Sequence, residues 1–305
     1  MPDAAPSPAS AETREVRLAW VLVLPTLIAI VTIALFPLVW TFWESLHLHD
    51  LRLPARGRPF VGLANYAEIL ADPRFLGALA HTLFFTAASV SLELVAGLAL
   101  ALAMHGAYRG RGAVRTAVLL PWAIPTVAAA LVWRFLFEGP QGVANAVLLG
   151  IGAPEPISWF SDAWLAWVPI VLADVWKTTP FVALLLLAGL QSIDAELYEA
   201  ARVDGAGRIR ELWFVTLPFL RPAILVALIF RTLDAFRVFD LIYVLTGGGP
   251  GTATEPLALY TWSALLQNLR FGFGSALSVL IFLVTFALAL VYIRLVGADL
   301  TRSVR

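Results

Sequence analysis

The sequence predicts an all-α polytopic membrane protein with six transmembrane helices. Hydrophobic residues make up 60% of the 305 residues and charged residues only 14%, well below the roughly 25% of an average soluble domain. Several apolar runs exceed the roughly 18–20 residues that cross about 30 Å of hydrocarbon. The formal net charge is zero, so no basic surface for nucleic acid is indicated. A soluble fold of this composition would lack the polar residues to cover its surface.

The six spans follow from the apolar runs. Residues 1–17 are rich in Pro, Ala and Ser, and we expect them to form a disordered cytoplasmic N-terminus. The first apolar run is too long for a signal-peptide core and lacks a small-residue cleavage site, so we expect it to be retained as a span. The spans are expected at residues 18–43, 78–104, 113–137, 164–190, 217–245 and 275–296. They make up a transmembrane domain over residues 18–297, followed by a cytoplasmic tail over residues 298–305.

The distribution of arginine predicts the orientation, because cytoplasmic segments of membrane proteins carry an excess of Lys and Arg. With the N-terminus inside, the cytoplasmic segments hold eleven Arg and the outer segments five, and the outer loop 138–162 has neither Arg nor Lys. Both termini and the polar segment 191–216 are therefore expected in the cytoplasm.

The polar segment between the fourth and fifth spans, residues 191–216, predicts two short helices separated by a glycine bend. Most connections between neighbouring elements are shorter, so a partner outside the membrane would explain this surface. Ala200 and Ala201 are small enough for a partner to approach closely, and Gly205 permits the positive φ of a sharp reversal. Glu199 and Asp204 add carboxylates that suit reversible docking by charge pairs. An ordinary amphipathic loop is the alternative.

The same segment carries a specific resemblance. The string Glu199-Ala200-Ala201, three residues, Gly205, nine residues and then Val215-Thr216-Leu217-Pro218 resembles the EAA loop of ABC-importer permeases, with Val215 in place of the usual Ile. In that family the loop is a coupling helix that docks into a cleft of a separate ATPase subunit. The resemblance implies the type I ABC importer permease fold. It also implies that Glu199, Ala200, Ala201, Asp204 and Gly205 couple the chain to the ATPase.

The sequence predicts no ATP site of the chain's own. A P-loop needs Gly-Lys-[Ser/Thr] after a glycine-rich loop, and the only lysine, Lys177, follows Trp176. The run Gly247-Gly248-Gly249-Pro250 lacks a lysine and is expected in an outer loop. We expect no catalytic residue, no cofactor and no metal site in this chain. By the resemblance, ATP and Mg²⁺ belong to the partner ATPase.

The fifth span carries Arg231, Asp234, Arg237 and Asp240 at intervals of three. Neighbours in such a series lie about one helical turn apart and can pair, and charges inside a membrane usually face a cavity or a partner. Two interpretations remain open. The four residues form a self-neutralised ladder that fixes helix packing, or at least one of them belongs to the polar wall of a substrate path.

The fourth span places a lysine near mid-membrane. Lys177 either pairs with Asp174 one turn away or, with Trp176 and Thr178, provides the aromatic face and hydrogen-bond donors that suit a sugar. Together the two spans give eight candidate residues for the substrate path: Trp176, Lys177, Thr178, Asp234, Phe236, Arg237, Asp240 and Tyr243.

The stretches 231–240 and 242–250 resemble the corresponding helix of sugar permeases of the maltose and glycerol-phosphate import type. In the maltose permease this helix contacts the sugar through asparagines, whereas Arg237 and Val238 fall near those positions here. The strings at residues 175–181 and 230–237 look most like trehalose- or maltose-type permeases. The resemblance implies half of the translocation path for a disaccharide or small oligosaccharide.

The resemblance also implies the partners and the location. They are a second homologous permease subunit, two ATPase subunits and an extracytoplasmic sugar-binding protein, around a multi-pass chain in the bacterial plasma (inner) membrane. The alternative is a proton-coupled secondary transporter that uses Asp234 or Asp240 as a proton relay, although such a protein has no need for the EAA loop.

Overall fold

The computed structural model describes the backbone of residues 8–106 and 109–303, and the side chains of residues 16–106 and 109–294. Within these residues the regular elements are helical, and the only β pairing is two isolated bridges, His47 with Phe60 and Asp50 with Arg270. Five helices are long and apolar enough to cross a membrane, and a bent helix pair raises this number to six. The predicted all-α polytopic class is confirmed.

The contacts divide the chain into two compact units. The first comprises Met1–Ile69 and Ala264–Val279, and the second comprises Leu70–Ser263 and Leu280–Arg305. The first unit contains α1 (Pro8–Ile30), a π-helical segment (Val31–Leu35) and α2 (Phe36–Ser45), which together provide the apolar span Val16–Ser45. It also contains a 3₁₀ turn (Pro54–Arg56), most of α3 (Ala64–Ala71) and the start of α14 (Phe271–Ser303).

The two ends of the chain are more helical than predicted. Helix α1 begins at Pro8, so the expected disorder is wrong for residues 8–17, while residues 1–7 lie outside the described residues. Proline is compatible with the first turn of a helix, and the Ala, Glu and Arg that follow it have high helix propensity. At the other end α14 continues to Ser303, so residues 298–303 extend the last helix instead of forming a separate tail.

The second unit is a helical bundle around α4 (Pro73–His105), α8 (Trp167–Gln191) and α11 (Leu217–Ala235). One apolar cluster includes Phe85, Ile170 and Ala173, and another includes Met104, Leu186 and Leu220. Helices α4 and α8 approach closely because α4 has no side chain at Gly97, where a Cβ would lie 2.7 Å from Val182 Cγ1. Small residues permit this kind of contact between membrane helices. The remaining helices are α5 (Arg111–Ala123), α6 (Thr126–Phe137), α7 (Val143–Gly150), α9 (Ala195–Val203), α10 (Arg208–Glu211), α12 (Asp240–Leu245) and α13 (Leu257–Trp262).

Two of the predicted spans are broken. Helices α5 and α6 meet at an angle of 91°, because Pro125 lacks an N–H and forces Ile124 out of the helical region. The predicted fifth span ends at Ala235 and resumes as α12 at Asp240. Between them the N–H groups of Arg237 and Val238 bond to carbonyls three residues earlier, and such tightened turns are common at helix ends. The predicted third span, residues 113–137, is therefore a bent helix pair, and the predicted fifth span, residues 217–245, is interrupted between Ala235 and Asp240.

Candidate functional site

A cluster of ion pairs lies inside the second unit, centred on Arg231 of α11. Its Nε and Nη2 atoms lie 2.5 Å and 2.7 Å from the two carboxylate oxygens of Glu93 on α4. Nη2 also lies 3.1 Å from Asp174 Oδ2 on α8, and Nη1 lies 2.5 Å from Asp234 Oδ2. The side chains of Arg231 and Glu93 are only 3% and 0% exposed. One guanidinium therefore joins α4, α8 and α11.

These ion pairs explain how a largely apolar helical bundle can hold charged side chains in its interior. A buried ion is tolerated only when it is paired and its remaining hydrogen-bonding sites are filled. The Thr178 hydroxyl contributes to this, since its Oγ1 lies 2.6 Å from Glu93 Oε1 and 2.6 Å from the Asp174 carbonyl oxygen.

A cavity of about 290 Å³ borders the cluster. We call it the polar cavity. It brings together five of the eight residues predicted for the substrate path: Lys177, Thr178, Asp234, Arg237 and Asp240. An adjoining cavity of about 420 Å³ shares Thr178, Asp234 and Arg237 with it and adds the rings of Phe181 and Phe230. Both volumes are comparable to the roughly 300–1,000 Å³ of small-molecule sites.

The other three predicted residues lie away from the polar cavity. Trp176 packs against Trp133, with ring centres 6.0 Å apart. Phe236 is 1% exposed, and Tyr243 stacks on Phe239 at 5.4 Å. Phe236 follows Asp234 by two residues, so on a helix with 3.6 residues per turn it lies on the side opposite Asp234.

The predicted charge ladder holds for one pair only. Arg231 and Asp234 pair one turn apart, but Arg237 donates from Nε to the Leu233 carbonyl at 3.2 Å. Among the described residues Arg237 forms no ion pair with Asp234 or Asp240. The alternative pairing of Lys177 with Asp174 is also wrong, since Asp174 pairs with Arg231. Lys177 and Arg237 both border the polar cavity, and neither forms an ion pair among the described side chains.

Sequence reasoning missed Glu93, the fully buried carboxylate that holds Arg231. The signal was present, because Glu93 is the only Asp, Glu, Lys or Arg in the predicted span 78–104, and a carboxylate inside a membrane span indicates a partner or a site. Trp122, at the end of α5, borders both cavities and was also missed.

The polar segment 191–216 has the predicted geometry of helix, glycine bend and second helix. Helix α9 ends in a Schellman motif, in which Ala206 N donates to the Ala201 carbonyl and Gly205 N donates to the Arg202 carbonyl. Gly205 has a φ of +78°, a conformation that residues with a side chain rarely adopt. An ion pair of 2.9 Å between Arg202 Nε and Glu211 Oε1 ties α9 to α10.

The surface of this segment is mixed in character. Glu199, Ala200, Asp204 and Gly205 are exposed, and Ala201 is half-buried. Four apolar side chains beside them are exposed to between 64% and 87%: Val203, Ile209, Trp213 and Phe214. Ile209, Trp213 and Phe214 lie within the apolar span Arg208–Ala235, whereas Val203 and the charged side chains lie on the connection before it.

Comparison with known proteins agrees with this arrangement. The family model for the binding-protein-dependent transport system inner membrane component matches residues 93–300. The trehalose/maltose transport system permease protein MalF of Thermococcus litoralis is 44% identical over 282 residues, which are 92% of this chain and 94% of that protein. The trehalose transport system permease protein SugA of Mycobacterium tuberculosis is 44% identical over 284 residues, 93% of this chain and 90% of that protein.

Two further comparisons extend the range of relatives. The sulfoquinovosyl glycerol transport system permease protein SmoG of Agrobacterium fabrum is 42% identical over 92% of this chain and 90% of that protein. A chain in the crystal structure of a bacterial ABC transporter involved in the import of the acidic polysaccharide alginate superposes with a TM-score of 0.82. The superposition covers 95% of this chain and 98% of that chain at 24% identity, which establishes a common fold.

Proposed function

The chain belongs to the family of binding-protein-dependent transport system inner membrane components, and from this premise we propose that it is a permease subunit of an ATP-driven sugar importer. Its cargo in this proposal is a neutral disaccharide or small oligosaccharide of the trehalose or maltose kind. The chain forms half of the translocation path in the bacterial plasma membrane, and a second homologous permease subunit forms the other half.

The polar cavity is the observation that carries this proposal. Its walls include three carboxylates, on Asp174, Asp234 and Asp240, and three cations, on Lys177, Arg231 and Arg237. The six lining charges are equal in number, and Glu93 behind Arg231 adds one carboxylate, so the cavity offers many hydrogen-bond donors and acceptors without favouring an anionic cargo. A neutral polyhydroxylated molecule needs both donors and acceptors along its path. Relatives named for trehalose and maltose at 44% identity support the same class of cargo.

The segment 191–216 couples the chain to ATP hydrolysis in this proposal. Residues 192–207 of this segment lie outside the candidate membrane spans, and they contain the Glu-Ala-Ala string and the glycine that resemble the EAA loop. Two ATPase subunits dock on this surface and on that of the second permease, and they hold the ATP and Mg²⁺. An extracytoplasmic binding protein delivers the sugar to the opposite face. Both termini of the chain then lie in the cytoplasm, as the arginine distribution indicates.

An uptake assay tests the cargo. Cells that produce the complete importer should accumulate labelled trehalose or maltose, and a matched strain without this chain should not. Unlabelled trehalose and maltose should compete for uptake. Maltobionate, a carboxylate-bearing analogue of maltose, should compete poorly because its carboxylate would bring an unpaired negative charge into the cavity. Strong competition by maltobionate and weak competition by both neutral disaccharides would reject the proposed cargo.

Co-purification tests the class of transporter. An affinity-tagged chain should bring down an ATPase subunit in stoichiometric amount. A proton-coupled secondary transporter, in which Asp234 or Asp240 relays the proton, would purify without one.

A further inference from the structure

A separate cavity of about 360 Å³ lies where α6 and α12 end. We call it the outer pocket, and its walls include Arg134, Glu138, Ser158, Trp159, Ser161 and Gly249. We propose that the outer pocket binds one ring of a neutral sugar and is a second binding site, separate from the polar cavity. This inference rests on the proposed function, because it takes the ligand of the outer pocket to be the cargo of the importer.

The loop that forms the outer pocket is held in shape by one buried side chain. Asn145 of α7 is 0% exposed. Its Nδ2 donates to the carbonyls of Gly139 and Ile157 at 2.8 Å and 2.9 Å, and its Oδ1 accepts from Ile157 N at 2.9 Å. These bonds fix the chain on both sides of α7. The outer pocket is therefore preformed, as sugar sites usually are.

The side chains in the outer pocket match the chemistry of a sugar. The ring of Trp159 stands edge-on to Phe137 at 5.1 Å, and its indole Nε1 is buried without a hydrogen-bond partner among the described residues. A buried donor of this kind is costly unless it finds an acceptor. A sugar hydroxyl in the outer pocket becomes such an acceptor when the indole turns toward it, and it can donate in turn to Ser158, Ser161 or Glu138.

The charges in the outer pocket favour a neutral ligand. Arg134 Nη1 donates to the Val244 carbonyl at 3.1 Å, and its Nε lies 3.8 Å from Glu138 Oε1. The two side chains remain about half exposed, at 48% and 51%. Their opposite charges cancel, and each still has hydrogen-bonding atoms to offer.

Two helices connect the outer pocket to the polar cavity. On α6, Thr126 borders the polar cavity and Arg134 borders the outer pocket. Eight residues of helix separate them, which is about 12 Å at the usual rise of 1.5 Å per residue. On α12, Leu241 borders the polar cavity and Leu245 borders the outer pocket. These two residues lie about 6 Å apart along the helix. A sugar ring in the outer pocket thus lies within about one disaccharide length of the polar cavity.

Cysteine protection tests the proposal, because the chain has no cysteine of its own. The variants Ser161→Cys and Thr252→Cys place one thiol in the outer pocket and one on an exposed turn outside it. The full chain is purified in lipid nanodiscs with the subunits it assembles with, so reagent reaches both faces. Trehalose or maltose at ten times its dissociation constant should slow maleimide labelling of Ser161→Cys about tenfold. Labelling of Thr252→Cys should not change.

A second variant tests the role of the indole. Trp159→Phe, combined with Ser161→Cys, keeps a ring against Phe137 and removes the N–H, so protection should require a severalfold higher sugar concentration. Trp164→Phe is the matched control, because Trp164 is 73% exposed and lies outside the outer pocket, and it should leave protection unchanged.

The outcomes separate this inference from the proposed function. If Ser161→Cys is labelled equally fast with and without both sugars across the concentration range, the proposal that the outer pocket binds sugar is contradicted. Equal slowing of labelling at positions 161 and 252 also contradicts the proposal, because the dissolved sugar then slows the reaction in general and does not protect one site by binding there. Protection by a sugar that the importer does not take up supports the outer pocket and rejects the proposed cargo. Uptake without protection rejects the outer pocket alone.

Discussion

The guanidinium of Arg231 makes two hydrogen bonds to the carboxylate of Glu93, which is 138 residues away along the chain. Both side chains are buried between α4 and α11. Arg231 also borders the polar cavity. It therefore belongs both to the packing of the bundle and to the wall of the proposed substrate path, and substitutions around it should separate the two roles.

Removing Glu93 should destabilise the bundle. Breaking a buried pair by removing one partner costs about 3–5 kcal/mol, because the other charge remains buried. Glu93→Ala should therefore greatly reduce the amount of monodisperse protein that survives mild heating in detergent, measured by size-exclusion chromatography. Glu155→Ala, at an exposed loop position, is the control and should behave as wild type. A Glu93→Ala protein as heat-resistant as the control would show that the pair does not stabilise the fold.

Removing Arg237 should lower transport and leave the fold intact. Arg237 is exposed to the polar cavity and makes one bond, to the Leu233 carbonyl. In the proposed function Arg237 donates a hydrogen bond to the sugar, and a hydrogen bond to a charged group contributes about 1.5–3 kcal/mol. Arg237→Ala should therefore reduce sugar uptake roughly tenfold or more, with a normal amount of the protein in the membrane. Normal uptake in the variant, or failure caused only by loss of assembly, would assign Arg237 to packing.

Removing Asp234 should also spare the fold. The spacing alone suggests that this carboxylate holds two cations, but among the described side chains it forms an ion pair only with Arg231, which keeps Glu93 and Asp174. The side chain of Asp234 is 68% exposed. We expect Asp234→Ala to assemble as well as wild type and to transport less, as judged by co-purification and uptake measured on the same preparation. Loss of assembly would mean that the contact of Asp234 with Arg231 is essential to packing.

Changes in the segment 191–216 should uncouple transport from ATP hydrolysis. Gly205→Pro requires a φ near −65° where the chain has +78°, and it removes the N–H that donates to the Arg202 carbonyl. We expect Gly205→Pro and Glu199→Lys to insert in the membrane and to lose most of the ATPase stimulation by binding protein and sugar. Gly207→Ala is the control, because Gly207 has a φ of −78°. Full stimulation in both variants would reject the coupling role.

Thiol labelling tests the orientation. A single cysteine in place of exposed Thr252 should react with an impermeant maleimide added to intact cells, whereas one in place of half-buried Ala206 should react only after the cells are opened. The excess of arginine in the segments on the Ala206 side is the reason for this expectation. Labelling at position 206 in intact cells would reverse the orientation.

The sequence predicted the elements that depend on local chemistry. The apolar runs predicted every span except the fifth to within about five residues, and Gly205 predicted the bend after α9, because each depends on the length or the φ of a short stretch. It also identified five residues of the polar cavity, since charges inside apolar spans need a polar neighbour.

The parts that depend on tertiary contacts could not be predicted. The helix breaks between Ala235 and Asp240, where the sequence has no Gly or Pro that would indicate a break. The partner of Arg231 was expected on its own helix, where Asp234 lies, but the buried carboxylate is Glu93 on α4. The packing of α4 against both α8 and α11 brings that carboxylate within reach.

Accumulation of sugar in proteoliposomes tests the central claim most directly. The chain would be reconstituted with its second permease, ATPase subunits and binding protein, with labelled trehalose or maltose supplied on the binding-protein side. The account predicts that ATP on the opposite side drives accumulation, and that Arg237→Ala reduces it roughly tenfold or more in a complex of unchanged composition. Accumulation that follows an imposed proton gradient and ignores ATP would contradict the account.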